Sequence, residues 1–127
     1  MNILRAVAMA VVVCLCFGCN EQGSPTDQHE KGYRSLLLDG NRFLKKKKYQ
    51  KGADLFTKAI SKEPEKAEGY LNRGIAYANL ERYKKAIVDF TKAIQKDGAL
   101  AIAYANRGIA YDHLGRHKEA LSDYQKA

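Results

Sequence analysis

The sequence predicts an all-α protein built from three tandem helix-turn-helix units, and two observations carry that prediction. The first is self-similarity at a fixed period. Asn72-Arg73-Gly74-Ile75-Ala76-Tyr77 recurs unchanged as Asn106-Arg107-Gly108-Ile109-Ala110-Tyr111, a shift of 34. Phe56-Thr57-Lys58-Ala59-Ile60 returns at the same shift as Phe90-Thr91-Lys92-Ala93-Ile94. A period of that length implies stacked supersecondary units rather than one globule. The second observation is helical spacing inside the units: Tyr70, Gly74, Tyr77 and Leu80 fall on one face of a helix. The 127 residues, 46% hydrophobic and 28% charged, allow one domain with a modest core, and disorder is not the default.

Taken in order, residues 1–5 form a basic start and residues 6–17 an apolar run that ends at Gly18-Cys19. Twelve residues at ~1.5 Å each reach about 18 Å as a helix, short of a ~30 Å hydrocarbon core. The pattern is that of a cleaved secretory signal over residues 1–18. Gly18 directly before Cys19 resembles the lipobox of bacterial lipoproteins, which implies a lipidated Cys19, carrying palmitate, as the first mature residue. Cys16 and Phe17 depart from that family's favoured residues, and Leu15 lies one step early. Cys14 and Cys16 are poorer acceptors because bulky Val13 and Leu15 precede them. An unmodified Cys19 thiol, or an uncleaved segment kept as a crude anchor, are the alternatives. No cysteine follows residue 19, so the mature body is expected to form no internal disulfide. Residues 20–31 contain no apolar side chain, and residues 19–32 are expected to be a flexible tether. By the lipoprotein resemblance, Asn20 in place of Asp favours the periplasmic face of an outer membrane in a Gram-negative envelope.

Three units follow, at residues 33–66, 67–100 and 101–127. The second helix of the middle unit carries Tyr83, Ala86, Ile87, Phe90, Ala93 and Ile94 at helical spacing. Small residues such as Gly74, Ala76, Ala86 and Ala93 let two backbones approach while aromatics fill the space beside them. Pro64 is expected to stop the first unit and Gly98 the second.

These positions resemble the tetratricopeptide repeat (TPR) family. Tyr70, Gly74, Tyr77, Ala86, Phe90 and Ala93 match its pattern in the middle unit, and Tyr104, Gly108, Tyr111, Ala120, Tyr124 and Ala127 in the third. The first unit is more degenerate, with Leu36, Gly40, Phe43, Gly52, Phe56, Ala59 and Pro64. The resemblance covers residues 33–127 and implies a short right-handed solenoid whose first helices line a concave groove. Aromatics at helical spacing are packing positions, so no ligand chemistry is assigned to them.

The resemblance further implies a protein-binding scaffold, with groove positions at Leu37, Asn41, Leu71, Asn72, Ile75, Asn79, Ile102, Asn106, Ile109 and His113. Aliphatics there would receive a peptide's side chains and amides its backbone. Some of these aliphatics are expected to pack against neighbouring helices instead. One subfamily grips chaperone C-terminal carboxylates with a clamp of Lys, Asn and Arg. Asn41 and Asn72 match two of its positions, but Leu37, Ile102, Ala103 and Asn106 lack the cations, so the clamp is rejected.

The net charge is +8, or about +7 after residue 18, because Arg5 is the one charge before it. Basic charge suits an acidic protein, anionic lipid or nucleic acid; no nucleic-acid module is evident, and that ligand is not expected. Lys45, Lys46, Lys47, Lys48 and Lys51 close a helix whose dipole they complement, or meet anionic headgroups. His113 and His117 stand four apart, but the turn through Gly115 separates them, and His117 takes a place held by Tyr49 and Tyr83. No catalytic residue, cofactor or metal site is expected. The third unit stops at Ala127, which would leave Leu121, Tyr124 and Ala127 partly exposed. That predicts an interface, and the alternative function is a self-assembling module that dimerises there.

Overall fold

Six helices follow the 34-residue period in three pairs: α1 (Pro25–Lys45), α2 (Tyr49–Lys62), α3 (Ala67–Asn79), α4 (Tyr83–Lys96), α5 (Ala101–His113) and α6 (His117–Lys126). The computed structural model describes residues 25–127, with side chains from Gly32 onward, and no strand occurs among them. From α2 onward each helix packs on the next, and α3 also touches α5; Gly40 and Leu44 of α1 lie against Phe56 and Gly52 of α2. The expected signal over residues 1–18, Cys19 and residues 20–24 of the expected tether lie outside the described residues. The helix starts at Pro25, before the first unit, so residues 25–32 are helical where composition implied a flexible tether. Proline suits a first helical position, and extending an existing helix costs little once a packed turn has nucleated it.

Within every unit the first helix ends the same way. Lys48, Arg82 and Arg116 donate their N–H groups to the carbonyls of Phe43, Tyr77 and Tyr111, each at 2.9 Å. One residue earlier, Lys47, Glu81 and Gly115 adopt φ of 58°, 59° and 74°. This doubly bonded C-cap needs a left-handed residue, which costs a side-chain-bearing residue about 1 kcal/mol and glycine almost nothing. Gly98, by contrast, has no positive φ; the α4 end is managed by Asp97, whose Oδ1 accepts from the Ala99 N–H at 3.1 Å. The expected glycine stop between units is therefore corrected to an Asx turn.

The core repeats a ring-in-slot contact. A Cβ at Gly74 or Gly108 would lie 2.6 or 2.7 Å from the rings of Phe90 or Tyr124, and one at Gly40 would run into the Phe56 ring. Ala76 of the next unit shares a core cluster with Phe56, and Ala110 one with Phe90. Those two rings are 0% and 1% exposed, whereas Tyr124, on the last described helix, is 40% exposed. Leu37 and Leu71 belong to the same clusters, at 5% and 9% exposure. They pack between helices, a correction to their place in the expected groove, because their side of the first helix turns inward toward α2 and α4.

One buried polar feature was not anticipated. Arg73 Nε and Nη2 donate to Asp89 Oδ2 and Oδ1, both at 2.8 Å, and its Nη1 reaches Thr57 Oγ1 of the preceding unit at 3.1 Å. Arg107, Asp123 and Thr91 repeat the arrangement at 2.7, 2.7 and 3.1 Å. Each fork joins the two helices of its unit and pins them to the unit before. The hydrogen bonds to the aspartate raise the arginine pKa, outweighing burial, so the cation is retained. The signal was present in the sequence as an Arg, Asp and Thr that all recur at 34 residues. In the first unit Asp39 and Leu55 stand in the places of the Arg and the Asp.

Candidate functional site

The two first helices α3 and α5 touch, and together they form one wall of a hollow. Ile75, Ala78 and Asn79 come from α3, and Asn106, Ile109 and His113 from α5. Glu81 and Tyr83 close it from the α3–α4 turn and the start of α4, enclosing about 360 Å³. A second hollow of about 340 Å³ adjoins it, sharing Ile109 and His113 and adding Asp112 and Tyr124. Apolar surface from Ile75, Ala78 and Ile109 lies beside amides that can both donate and accept. No Lys or Arg lines either hollow; their formal charges are the carboxylates of Glu81 and Asp112.

The polar groups are held in place. The His113 ring stacks on Tyr83 with centroids 4.4 Å apart and planes 4° from parallel. Asn79 Nδ2 donates to the Ile75 carbonyl at 2.8 Å, which leaves its amide oxygen able to accept. Tyr124 donates its hydroxyl to Asp112 Oδ2 at 2.8 Å, and His117 Nδ1 lies 3.0 Å from Asp112 Oδ1. The His117 imidazole, and after it the Tyr124 hydroxyl, hold the Asp112 carboxyl below its usual range. Burial and that same hydrogen bond push the Tyr124 phenol up. His117 is thus an exposed partner of Asp112 rather than a packing residue, because no described helix lies over the place that Tyr49 and Tyr83 fill in the earlier units. The two histidines point to different partners, and among the described residues no three His, Cys, Asp or Glu side chains converge as metal ligands.

Five of the ten expected groove residues therefore meet in one place: Ile75, Asn79, Asn106, Ile109 and His113. Leu37 and Leu71 are core, as described above. Asn41 and Asn72 are half-buried outside the hollow, and Ile102 is exposed outside it. Sequence reasoning missed Tyr83 and Glu81. Both belong to the inter-helix turn, and a Tyr83–His113 pair spans two units, so spacing within one unit gives no hint of it.

Comparison with known proteins agrees with this fold. A family profile described as Tetratricopeptide repeat matches residues 67–98 and 101–127. The second TPR of Spaghetti (RPAP3), bound to HSP90 peptide SRMEEVD, is 31% identical with a TM-score of 0.74, covering 79% of this chain and 94% of that one. The Arabidopsis OM64 TPR domain is 32% identical with a TM-score of 0.75, covering 76% and 80%. The second TPR domain of human RPAP3, in complex with HSP70 peptide SGPTIEEVD, is 33% identical with a TM-score of 0.74, covering 76% and 81%.

Proposed function

The chain belongs to the tetratricopeptide repeat family, and on that footing we propose that it is a non-enzymatic interaction module whose α3–α5 hollow takes a peptide or protein segment. The observation that carries this reading is the hollow itself: an apolar floor, the amides of Asn79 and Asn106, and a stacked aromatic pair. Its occupant differs in charge from the acidic peptides held by the two RPAP3 domains. With Glu81 and Asp112 at the walls and no cation among the lining residues, a carboxylate pair would be desolvated without a partner.

The test is site-specific photo-crosslinking from Ile109, with Lys58 on a second helix as control. A partner is expected to crosslink from Ile109 alone, and Ile109→Glu should weaken capture about 5- to 100-fold, the cost of burying an unpaired charge. Ile109 is 47% exposed, so the melting curve should not change. The peptide SRMEEVD should not compete. Equal capture from both positions, or by Ile109→Glu, would place the binding surface elsewhere.

The same proposal extends to location: a lipid-anchored protein of the bacterial envelope that serves as an adaptor in assembly there, with Cys19 as the lipidated residue. Its support is the basic start, the short apolar run and Gly18-Cys19. Cys19→Ser is expected to abolish fatty-acid labelling and membrane association; unchanged labelling of the variant would end the lipoprotein reading. A second functional reading, self-assembly, draws on Leu121 and Tyr124, which are 59% and 40% exposed on adjacent turns of α6. It predicts a concentration-dependent mass in light scattering that Leu121→Glu removes.

A further inference from the structure

The three inter-helix turns hold the chain's charge asymmetry. Residues 45–51, 79–85 and 113–119 occupy equivalent places in the three units, so stacking sets all three turns along one edge of the array. They contain ten of the 22 Lys and Arg but two of the 14 Asp and Glu, a net charge equal to the +8 of the whole chain. Residues 62–67 and 96–101, the connections at the opposite edge, hold three cations and three acids. Neighbouring turns touch: Arg82 Nη1 donates to Gln50 Oε1 at 2.9 Å. Among the described residues, Arg116 is the one member of the ten that meets a carboxylate, that of Glu119 at 2.8 Å.

This edge also carries two hollows that the concave groove does not include. Lys47, Lys48, Tyr49, Gln50, Lys51 and Leu80 line one of about 380 Å³. Lys84, Ile87, Val88, Leu114 and Arg116 line another of about 400 Å³. Leu80 and Leu114 are equivalent residues of successive units, as are Gln50 and Lys84, so each hollow has a corner at the same place in its unit. Each has an apolar floor, a cationic rim and no acidic residue in its lining, and Val88 is 54% exposed.

We infer that this edge docks on an anionic phospholipid bilayer, with the lysines and arginines on headgroup phosphates and the two hollows admitting the apolar region beneath. A row of cations spanning three units fits an extended anionic surface better than one short acidic peptide. A nucleic-acid duplex would use the charge but leave both apolar floors unfilled, whereas a bilayer presents anionic and apolar layers together. No helix among the described residues is long and apolar enough to cross a membrane, so this contact is peripheral. The inference does not depend on the groove reading or on lipidation of Cys19.

The experiment uses the full chain, whose first 31 residues are the same in every variant, in co-sedimentation with vesicles of phosphatidylglycerol and phosphatidylcholine or of phosphatidylcholine alone. At low salt the wild type should prefer the anionic vesicles by about 100-fold, and high salt should abolish the preference. Lys46→Glu with Lys48→Glu and Lys84→Glu should lower it by about tenfold or more. Lys58→Glu with Lys92→Glu and Lys126→Glu makes the same change in net charge away from the turns, and should lower it by less than about threefold. All six lysines are exposed, so circular dichroism melts should coincide. Equal losses in the two triple variants would mean bulk charge and overturn the proposal, as would an edge variant that keeps its preference. Retention of duplex DNA without a preference for anionic vesicles would assign the edge to nucleic acid and overturn it as well.

Discussion

Asp89→Ala is expected to cost about 3–5 kcal/mol, a large loss for a single polar substitution. Asp89 is 2% exposed, and both its oxygens are taken by the Arg73 guanidinium, whose side chain is 17% exposed. Removing the carboxylate leaves that cation between α3 and α4 with Thr57 as its remaining hydrogen-bond partner. The loss is large because domains of this kind are stable by only about 5–15 kcal/mol. Replacing both partners, as Arg73→Met with Asp89→Leu, should recover most of it, since no uncompensated charge then stays buried. Urea unfolding of the two variants checks this. A single-variant loss below about 1 kcal/mol would show that the fork behaves as a solvent-exposed ion pair.

The second large effect falls on the Gly74–Phe90 contact. Phe90→Ala is expected to cost about 3–5 kcal/mol, because a 1% exposed ring is lost from the centre of the α3–α4–α5 cluster. Gly74→Ala should cost about 1–3 kcal/mol in the wild-type background, where the new Cβ would lie 2.6 Å from Phe90 Cε1. In the Phe90→Ala background the obstruction is gone, and the same Gly74→Ala should stabilise by about 1 kcal/mol through helix propensity. A change of sign between backgrounds is the outcome to look for in thermal melts. Additive effects would mean that the ring and the glycine are not in contact.

Much of the architecture was legible because the repeat is a translation. Residues 34 apart take equivalent places on equivalent helices, so the recurring hexapeptide from Asn72 places α3 and α5 before any coordinates are known. The glycine at each ring contact and the alanines of each junction could be assigned on that ground alone. The groove was only half legible. Translation locates a residue on a helix but does not say how the pair of helices is rotated, and that rotation sends Leu37 and Leu71 inward while Ile75 and Ile109 face the hollow.

The sequence by itself determined the all-α class, the three-unit phase and the small-residue junctions, since each follows from period and side-chain size along one chain. Tertiary structure alone decided what lies between units. The Arg73–Thr57 link and the Tyr83–His113 stack join residues that are neighbours only after the units stack, and a fixed period cannot say which of many equivalent pairs will touch. The Arg73–Asp89 and Asp112 hydrogen bonds lie within single units, and how the two helices of a pair are rotated decides them. The same holds for the turn edge. Its cations stand in separate stretches around Lys45, Lys84 and Lys118, and come to one edge because antiparallel helices return every turn to the same side.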